Sequence, residues 1–193
     1  MTLTEILPTV DFPQLFKNAN PVEIEIGCGK GKFLLARSQE CPGMDFLGID
    51  RAAKWMKIGQ KRSEKRNLQN LKFVKADALS LLKIMPPESV SLFHIYFPDP
   101  WPKRRHSDRR LLKTGLLELL HSRLIKEGIV EIATDDADYF SAIRKLPGLM
   151  PGLWETKESN QRIFGTYKTN YEIKFETAGR LLNYLELRKL GKL

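Results

Sequence analysis

The chain has 193 residues, of which 42% are hydrophobic and 13 are glycine, and its formal net charge is +9. This length suits one domain and this composition excludes disorder, so we expect a single domain over residues 1–193. No apolar stretch is long enough to cross a bilayer, no secretion-signal pattern is present, and only Cys28 and Cys41 occur, which together predict a reducing, cytoplasmic location.

The positive charge is concentrated in two segments. Residues 51–66 hold seven Lys or Arg against one Glu, and residues 103–113 hold six against one Asp. The rest of the chain is therefore slightly negative. Such focusing is expected of a surface that binds phosphates, although a solvated helix face would also explain the first segment.

Short apolar runs alternate with helical patterns along most of the chain. The predicted strands are Val22 to Ile26, Asp45 to Asp50, Leu71 to Val74, Val90 to Phe97 and Ile129 to Ala133. The predicted helices are a segment ending near Gln39, a basic amphipathic segment around Met56, Leu79 to Met85, Arg109 to Ile125, and Ala137 to Leu146. This alternation predicts an α/β fold with a mostly parallel sheet, right-handed crossovers and helices on both faces.

The carboxyl-terminal part supports two interpretations. Tyr171, Ile173 and Phe175 alternate as in a strand, but Thr169 and Glu172 have the spacing of a capping box. Because Gly179 also suits a helix terminator, we predict a helix over Asn170 to Ala178 and a last strand near Leu182 to Leu187.

The first candidate site is the segment Glu25-Ile-Gly-Cys-Gly-Lys-Gly31, between a predicted strand and a predicted helix. Its glycines let a ligand approach the backbone closely; they are Gly27, Gly29 and Gly31. The spacing G-x-G-x-G differs from the G-x-G-x-x-G that binds dinucleotides. An acid beside the first glycine would also repel a pyrophosphate.

The acids near this segment indicate another ligand. Glu25 suits an ammonium, Asp50 can accept both hydroxyls of a ribose, and the region of Asp77 suits adenine. Together they predict S-adenosylmethionine as the cofactor. The alternative is that the glycines serve only a tight turn.

The predicted strands bring acids to one edge of the sheet. Ligands of open parallel sheets bind beyond the carboxyl ends of the strands. Five acids fall at or just past such ends: Glu25, Asp50, Asp77, Asp99 and Asp135. They would repel one another unless they met cationic or hydrogen-bonding ligands, although two of them could cap helices.

The second candidate site is the run Pro98-Asp-Pro-Trp-Pro-Lys-Arg-Arg-His106, directly after a buried strand. Its prolines stiffen the backbone, so Asp99 and Trp101 are predicted to sit on a rigid loop. A fixed acid beside phosphate-seeking cations suggests chemistry on a nucleic acid; a solvated loop is the plainer alternative.

No metal site is predicted. His94, His106 and His121 have no metal-ligand spacing with one another or with the cysteines. Of the tryptophans, Trp55 and Trp154 are expected to pack, whereas Trp101 is placed to face a base.

These motifs, in this order, resemble those of the bacterial tRNA (guanine-N7-)-methyltransferases. The motifs are Glu25-Ile-Gly-x-Gly-x-Gly31, Gly48-Ile-Asp50, the run Pro98 to His106, Thr134-Asp135 and Thr169-x-Tyr-Glu172. The resemblance implies a Rossmann-like class I methyltransferase with a seven-stranded sheet. It implies methylation of N7 of guanosine 46 in the tRNA variable loop.

The resemblance also implies roles for individual residues. Asp99 would be the catalytic acid and would line the cofactor site with Glu25, Asp50, Asp77 and the glycines. The substrate would be bound by Lys103, Arg104, Arg105, His106, Asp135, Thr169, Asn170, Tyr171 and Glu172. Asp50 stands where many relatives carry glutamate, which keeps the charge and shortens the reach.

Guanine N7 has a free lone pair, so its methylation needs positioning and electrostatics rather than a strong base. The expected partner is tRNA, bound by a monomer or homodimer. Two alternatives stay open: a methyltransferase acting on an amino group of adenine or of a protein, and a non-catalytic RNA-binding protein with the same fold.

Overall fold

The computed structural model describes residues 9–161 and 167–191, except for the side chain of Arg104. One sheet of seven strands runs through the molecule in the order β3-β2-β1-β4-β5-β7-β6. The strands are β1 Val22–Ile26, β2 Asp45–Asp50, β3 Leu71–Lys75, β4 Val90–Tyr96, β5 Leu124–Thr134, β6 Trp154–Ser159 and β7 Asn183–Lys189. Strands β1 to β5 all run parallel to one another, and β7 pairs antiparallel with both β5 and β6. The predicted mostly parallel α/β sheet is confirmed.

Helices cover both faces of the sheet. They are α1 Phe12–Phe16, α2 Lys32–Glu40, α3 Ala53–Lys65, α4 Ala78–Lys83, α5 Thr114–Arg123, α6 Ala137–Ile143 and α7 Asn170–Thr177, with 3₁₀ turns at Arg104–Arg109 and Pro147–Leu149. The inner side chains of α1, α4, α5 and α6 pack on alternate strand residues such as Ile24, Phe93 and Ile132. On the other face, α2 and α3 pack through Phe33 and Met56. Among the described residues no helix is long and apolar enough to span a bilayer.

Strand β5 differs most from its prediction. It begins at Leu124 rather than Ile129, because the register with β4 shifts between Val90 and Leu92. Glu127 has a φ of 60°, so Glu127 and Gly128 form a bulge inside the strand instead of closing a helix. Helix α5 is shorter than predicted at both ends: it begins at Thr114, after the 3₁₀ turn Arg104–Arg109 and a non-helical segment at 110–113, and it ends at Arg123, where β5 follows.

The carboxyl-terminal elements confirm the helix and last strand that were predicted. Thr169 Oγ1 accepts from Glu172 N and Glu172 Oε2 accepts from Thr169 N, which completes the capping box at the start of α7. Strand β6 has no counterpart in the prediction. It is an edge strand in which only Trp154 is buried. Its sequence therefore lacks the alternation of apolar and polar residues by which a strand is recognised.

Candidate active site

The two candidate segments lie side by side at one edge of the sheet. Ile26, the last residue of β1, pairs with Ile49 of β2 and with Ile95 of β4. The glycine-containing bend at 27–31 therefore emerges between the end of β2, where Asp50 stands, and the segment after β4 that contains Asp99. This is the edge at which parallel sheets bind ligands.

Asp50 shapes the glycine bend. Its Oδ2 accepts a hydrogen bond from Gly29 N at 2.8 Å, and its Oδ1 accepts one from Ala52 N at 2.7 Å. The carboxylate thus ties the bend to the turn that starts α3. Each oxygen keeps a second lone pair, which is available to a hydroxyl group.

The three predicted cofactor-binding glycines divide into two kinds. All have positive φ values, 82° at Gly27, 53° at Gly29 and 64° at Gly31. A Cβ on Gly27 or Gly29 would meet no atom within 4 Å, whereas a Cβ on Gly31 would lie 2.5 Å from the ring of Phe73. Gly31 is therefore required by packing of the loop on β3, and the open space is beside Gly27 and Gly29.

Glu25 is 4% exposed and lies in register with Gly48 on one side and His94 on the other. Burial raises the pKa of Cys28 far above its usual value, and the charges of Glu25 and Asp50 raise it further. Cys28 is therefore a neutral thiol and not a nucleophile. The same effect shows that both carboxylates act on the bend.

Asp77 caps a helix. Its Oδ1 accepts hydrogen bonds from Ser80 N and Ser80 Oγ, both at 3.1 Å, at the start of α4. The loop that carries it is linked to β2, since Ala76 N donates to Asp50 O. The predicted role of the Asp77 region in binding adenine stays a prediction.

The proline-containing corner is fixed at both ends by residues in the left-handed region. Phe97 has a φ of 51° and Trp101 a φ of 44°, which costs about 1–3 kcal/mol for each such residue. Phe97 N donates to Ala133 O at 2.7 Å, and Arg110 Nε donates to Pro100 O at 2.8 Å. Asp99, between them, is exposed.

The charge of Asp99 reaches α6. Burial raises the pKa of Tyr139 above its ordinary value, and the negative charge of Asp99 acts in the same direction. The guanidinium of Arg110 lies 4.9 Å from the centre of the Tyr139 ring. Arg110, whose Nε also donates to Pro100 O, therefore links the corner to the Tyr139 ring of α6.

The basic residues that follow the proline-containing corner form a 3₁₀ turn over Arg104–Arg109. Trp101 is partly buried between His106, whose ring centre is 5.8 Å away, and the Arg109 guanidinium at 5.0 Å. Lys103 and Arg105 are exposed. The side chain of Arg104, also assigned to the substrate, lies outside the described part.

Helix α7 packs against the corner through aromatic rings. The ring of Phe97 is 5.4 Å from that of Phe175 and 6.2 Å from that of Tyr171, centre to centre. Asp135 forms an ion pair with Arg180 at 2.5 Å, and the Arg180 guanidinium covers Phe175. The predicted substrate residues Asp135 and Tyr171 are thus brought to the same edge as Asp99.

The other substrate assignments fall on the start of α7. Asn170 and Tyr171 are exposed, whereas Glu172 is fully buried. Glu172 also accepts a hydrogen bond from Tyr184 Oη at 2.8 Å, besides its part in the capping box with Thr169. Both carboxylate oxygens of Glu172 are therefore used within the fold, and its contact with a substrate stays a prediction.

A buried polar network under the site was not predicted. His94 Nε2 lies 3.0 Å from Glu23 Oε2, and His94 Nδ1 lies 2.7 Å from Tyr96 Oη, which donates to Glu131. Arg37 makes a bidentate contact with Glu23, in which Nη2 donates to Oε1 at 2.9 Å and Nε donates to Oε2 at 3.2 Å. The sequence feature that could have indicated this network is the presence of Glu23, His94 and Glu131 among the apolar residues of β1, β4 and β5.

The charges of this network set its pKa values. Burial alone would lower the pKa of His94, but hydrogen bonds to Glu131 and Glu23 outweigh it and raise the pKa above the ordinary value. Burial alone would raise the pKa of Glu23, but its contacts with His94 and Arg37 lower it. The network therefore joins β1, β4 and β5 through the positively charged ring of His94, which lies between the carboxylates of Glu23 and Glu131.

Comparisons with known proteins agree with this arrangement. A family model described as "Putative methyltransferase" matches residues 19–184. The tRNA (guanine-N(7)-)-methyltransferase of Rubrobacter xylanophilus is 31% identical over 186 residues, which is 95% of this chain and 83% of that protein. The enzyme of that name from Mycoplasma capricolum is 30% identical, over 94% of this chain and 88% of that protein.

Solved structures show the same fold. The 16S rRNA methyltransferase KamB superposes with a TM-score of 0.66 at 16% identity, covering 96% of each chain. The tRNA (m1A58) methyltransferase TrmI of Aquifex aeolicus gives 0.60 at 17% identity, covering 95% of this chain and 71% of that one. The architecture is thus that of Rossmann-like methyltransferases, and on the sequence matches the chain belongs to the tRNA (guanine-N(7)-)-methyltransferase family.

Proposed function

We propose that this protein transfers a methyl group from S-adenosylmethionine to N7 of the guanosine at position 46 of tRNA, in the variable loop, and that it does so in the cytoplasm. The observation that carries the proposal is the placement of the open glycine bend between Asp50 and the Asp99 corner. The family membership supports the same reaction.

The residues around the bend fit the cofactor. The space beside Gly27 and Gly29 admits a ligand at the backbone. Glu25 offers a carboxylate to an ammonium, and the free lone pairs of Asp50 can accept the ribose hydroxyls. When bound, S-adenosylmethionine would supply a methyl group attached to a sulfonium.

The chain's own contribution to catalysis is positioning and charge. N7 uses its lone pair to form the new N–C bond, the C–S bond breaks, and its electron pair goes to sulfur. No proton leaves N7, so no strong base is needed. Positive charge develops on the guanine ring, and the carboxylate of Asp99, held on a rigid corner, offsets it.

The basic surfaces would bind the RNA. Lys103 and Arg105 are exposed beside Asp99, where they can contact phosphates, so affinity should fall steeply with salt. Structured RNA is recognised largely by its shape and its exposed bases. A folded tRNA is therefore the expected substrate, with its target base turned out of the stack.

The replacement of Asp99 by Ala or Asn tests this mechanism. We expect turnover to fall at least about 100-fold, which is the usual effect of removing one preorganised electrostatic group. The variants should still bind the cofactor in calorimetry, and the melting temperature should be preserved because Asp99 is exposed.

Asp108→Ala is the matched control. Asp108 is an exposed acid of the same loop. Within the described part of the chain its side chain makes no hydrogen bond or ion pair, and its backbone carbonyl accepts from Lys113 Nζ. If the Asp99 variants turned over as fast as the Asp108 variant, the proposed role of Asp99 would be wrong.

A further inference from the structure

One lysine of the glycine bend is directed to a surface that the cofactor assignments leave unused. Lys30, between Gly29 and Gly31, is exposed, and its Nζ lies 4.5 Å from the centre of the Trp55 ring. Lys54 Nζ lies 5.3 Å from the same ring. Two cations from different elements therefore meet at one indole.

Trp55 was expected to be a packing residue, but its side chain is exposed to solvent. It is 39% exposed on the first turn of α3, whereas Trp154 is buried as expected. The exposed indole and the two ammonium groups beside it together offer a ligand an aromatic face and two cationic donors. Each cation–π contact at such a site contributes about 0.5–1 kcal/mol.

The charge of this surface is not neutralised within the described residues. Lys30 and Lys54 have no ion pair there, and neither do the other cations on and beside α3, which are Arg51, Lys57, Lys61, Arg62, Lys65 and Arg66. Ion pairs do occur elsewhere in the described part of the chain, as in Arg37–Glu23, Lys168–Glu176 and Lys189–Glu88. Uncompensated cations in a row are suited to a polyanion.

The position of this surface relates it to the site. Helix α3 starts directly after β2, at the edge where the glycine bend and the Asp99 corner emerge. Only β1 separates β2 from β4, so the two loops arise about 10 Å apart. Lys30, in the bend after β1, and Lys103, in the loop after β4, would thus both be available to a nucleic acid whose base faces Asp99.

We propose that Lys30, Trp55 and Lys54 form a clamp for a phosphodiester of the bound tRNA, and that Lys30 serves the RNA rather than the cofactor. The indole holds both ammonium groups before the RNA arrives, which reduces the rotamer entropy lost on binding. This inference rests on the proposed function, because it takes tRNA as the ligand.

The test compares Lys30→Ala and Trp55→Leu with Lys83→Ala, in the full chain. Lys83 is an exposed lysine at the end of α4, towards the opposite edge of the sheet, so its variant makes the same charge change away from the site. The measurements are the Kd for unmodified tRNA over a range of salt, the Kd for S-adenosylmethionine, and methylation kinetics.

For Lys30→Ala we expect affinity for tRNA to fall roughly 10-fold at low salt, and the slope of log K against log salt to decrease by roughly one phosphate contact. The KM for tRNA should rise, while kcat and cofactor affinity stay unchanged. Trp55→Leu should weaken tRNA binding with no change in net charge, and Trp55→Phe should restore part of it.

The outcomes separate this inference from the proposed function. The clamp would be overturned if Lys30→Ala weakened cofactor binding and left tRNA binding intact, or if its affinity for tRNA equalled that of Lys83→Ala. Neither result would affect the proposal that the wild type methylates tRNA. If the wild type neither bound nor methylated tRNA, both would be overturned.

Discussion

Replacing His94 by Leu gives the sharpest prediction for the buried network. His94 is fully buried, and Glu23 and Glu131, both buried, approach its two ring nitrogens. The substitution removes the cation between them and leaves their negative charges buried. Breaking a buried pair in this way costs about 3–5 kcal/mol.

For a chain of this length each kcal/mol lowers Tm by about 2–4 °C, so we expect a decrease of about 6–20 °C. The double variant His94→Leu/Glu131→Gln should recover part of it, because one of the buried charges is also removed. Thermal unfolding followed by circular dichroism measures both.

The pH dependence has a defined sign. The pKa of His94 is raised in the folded state, so its stabilising contribution is complete below the unfolded value of about 6.5 and is lost as pH rises through the folded pKa. The difference in Tm between wild type and His94→Leu should therefore be largest at pH 6 and smaller at high pH. A variant within about 2 °C of wild type at pH 6 would refute this account of the network.

Two further substitutions separate packing from ligand binding at the bend. Gly31→Ala should destabilise the fold by roughly 2–4 kcal/mol, since it adds a clash with Phe73 to a left-handed backbone. The control is Gly43→Ala, whose added Cβ would meet no atom within 4 Å. Both variants are unfolded in urea, and equal midpoints for the two would contradict the packing role of Gly31. Asp50→Asn should lower affinity for S-adenosylmethionine at least about 10-fold in calorimetry, because it removes an acceptor and leaves a backbone N–H of Gly29 or Ala52 without one. Unchanged affinity would exclude Asp50 from the cofactor site.

Much of the fold could be predicted because its signals are local. Strands β1 and β2 were predicted to the residue, since each is a short stretch rich in branched apolar residues that is closed by a glycine or an acid. Helix α7 was predicted from the capping-box spacing of Thr169 and Glu172 together with the terminating Gly179. The neighbouring positions of Gly27 and Asp99 follow from the chain order and the rule for parallel sheets.

The rest depends on contacts between distant segments. The bulge at Glu127 depends on the register with β4, and the sequence shows only a glycine after charged residues. The network of Glu23, His94 and Glu131 requires three strands to be placed side by side before its members can meet. That Gly31 serves packing becomes visible only when Phe73 of β3 lies against it.

If the corner carrying Asp99 and the glycine bend act as proposed, together they methylate N7 of a guanosine in tRNA. The most direct measurement is incubation of the purified protein with methyl-labelled S-adenosylmethionine and unmodified tRNA, followed by nuclease digestion and identification of the labelled nucleoside. The account predicts 7-methylguanosine from the variable loop, formed by wild type and strongly reduced in Asp99→Ala. Label in a methylated adenosine, in the protein itself, or in no product would contradict it.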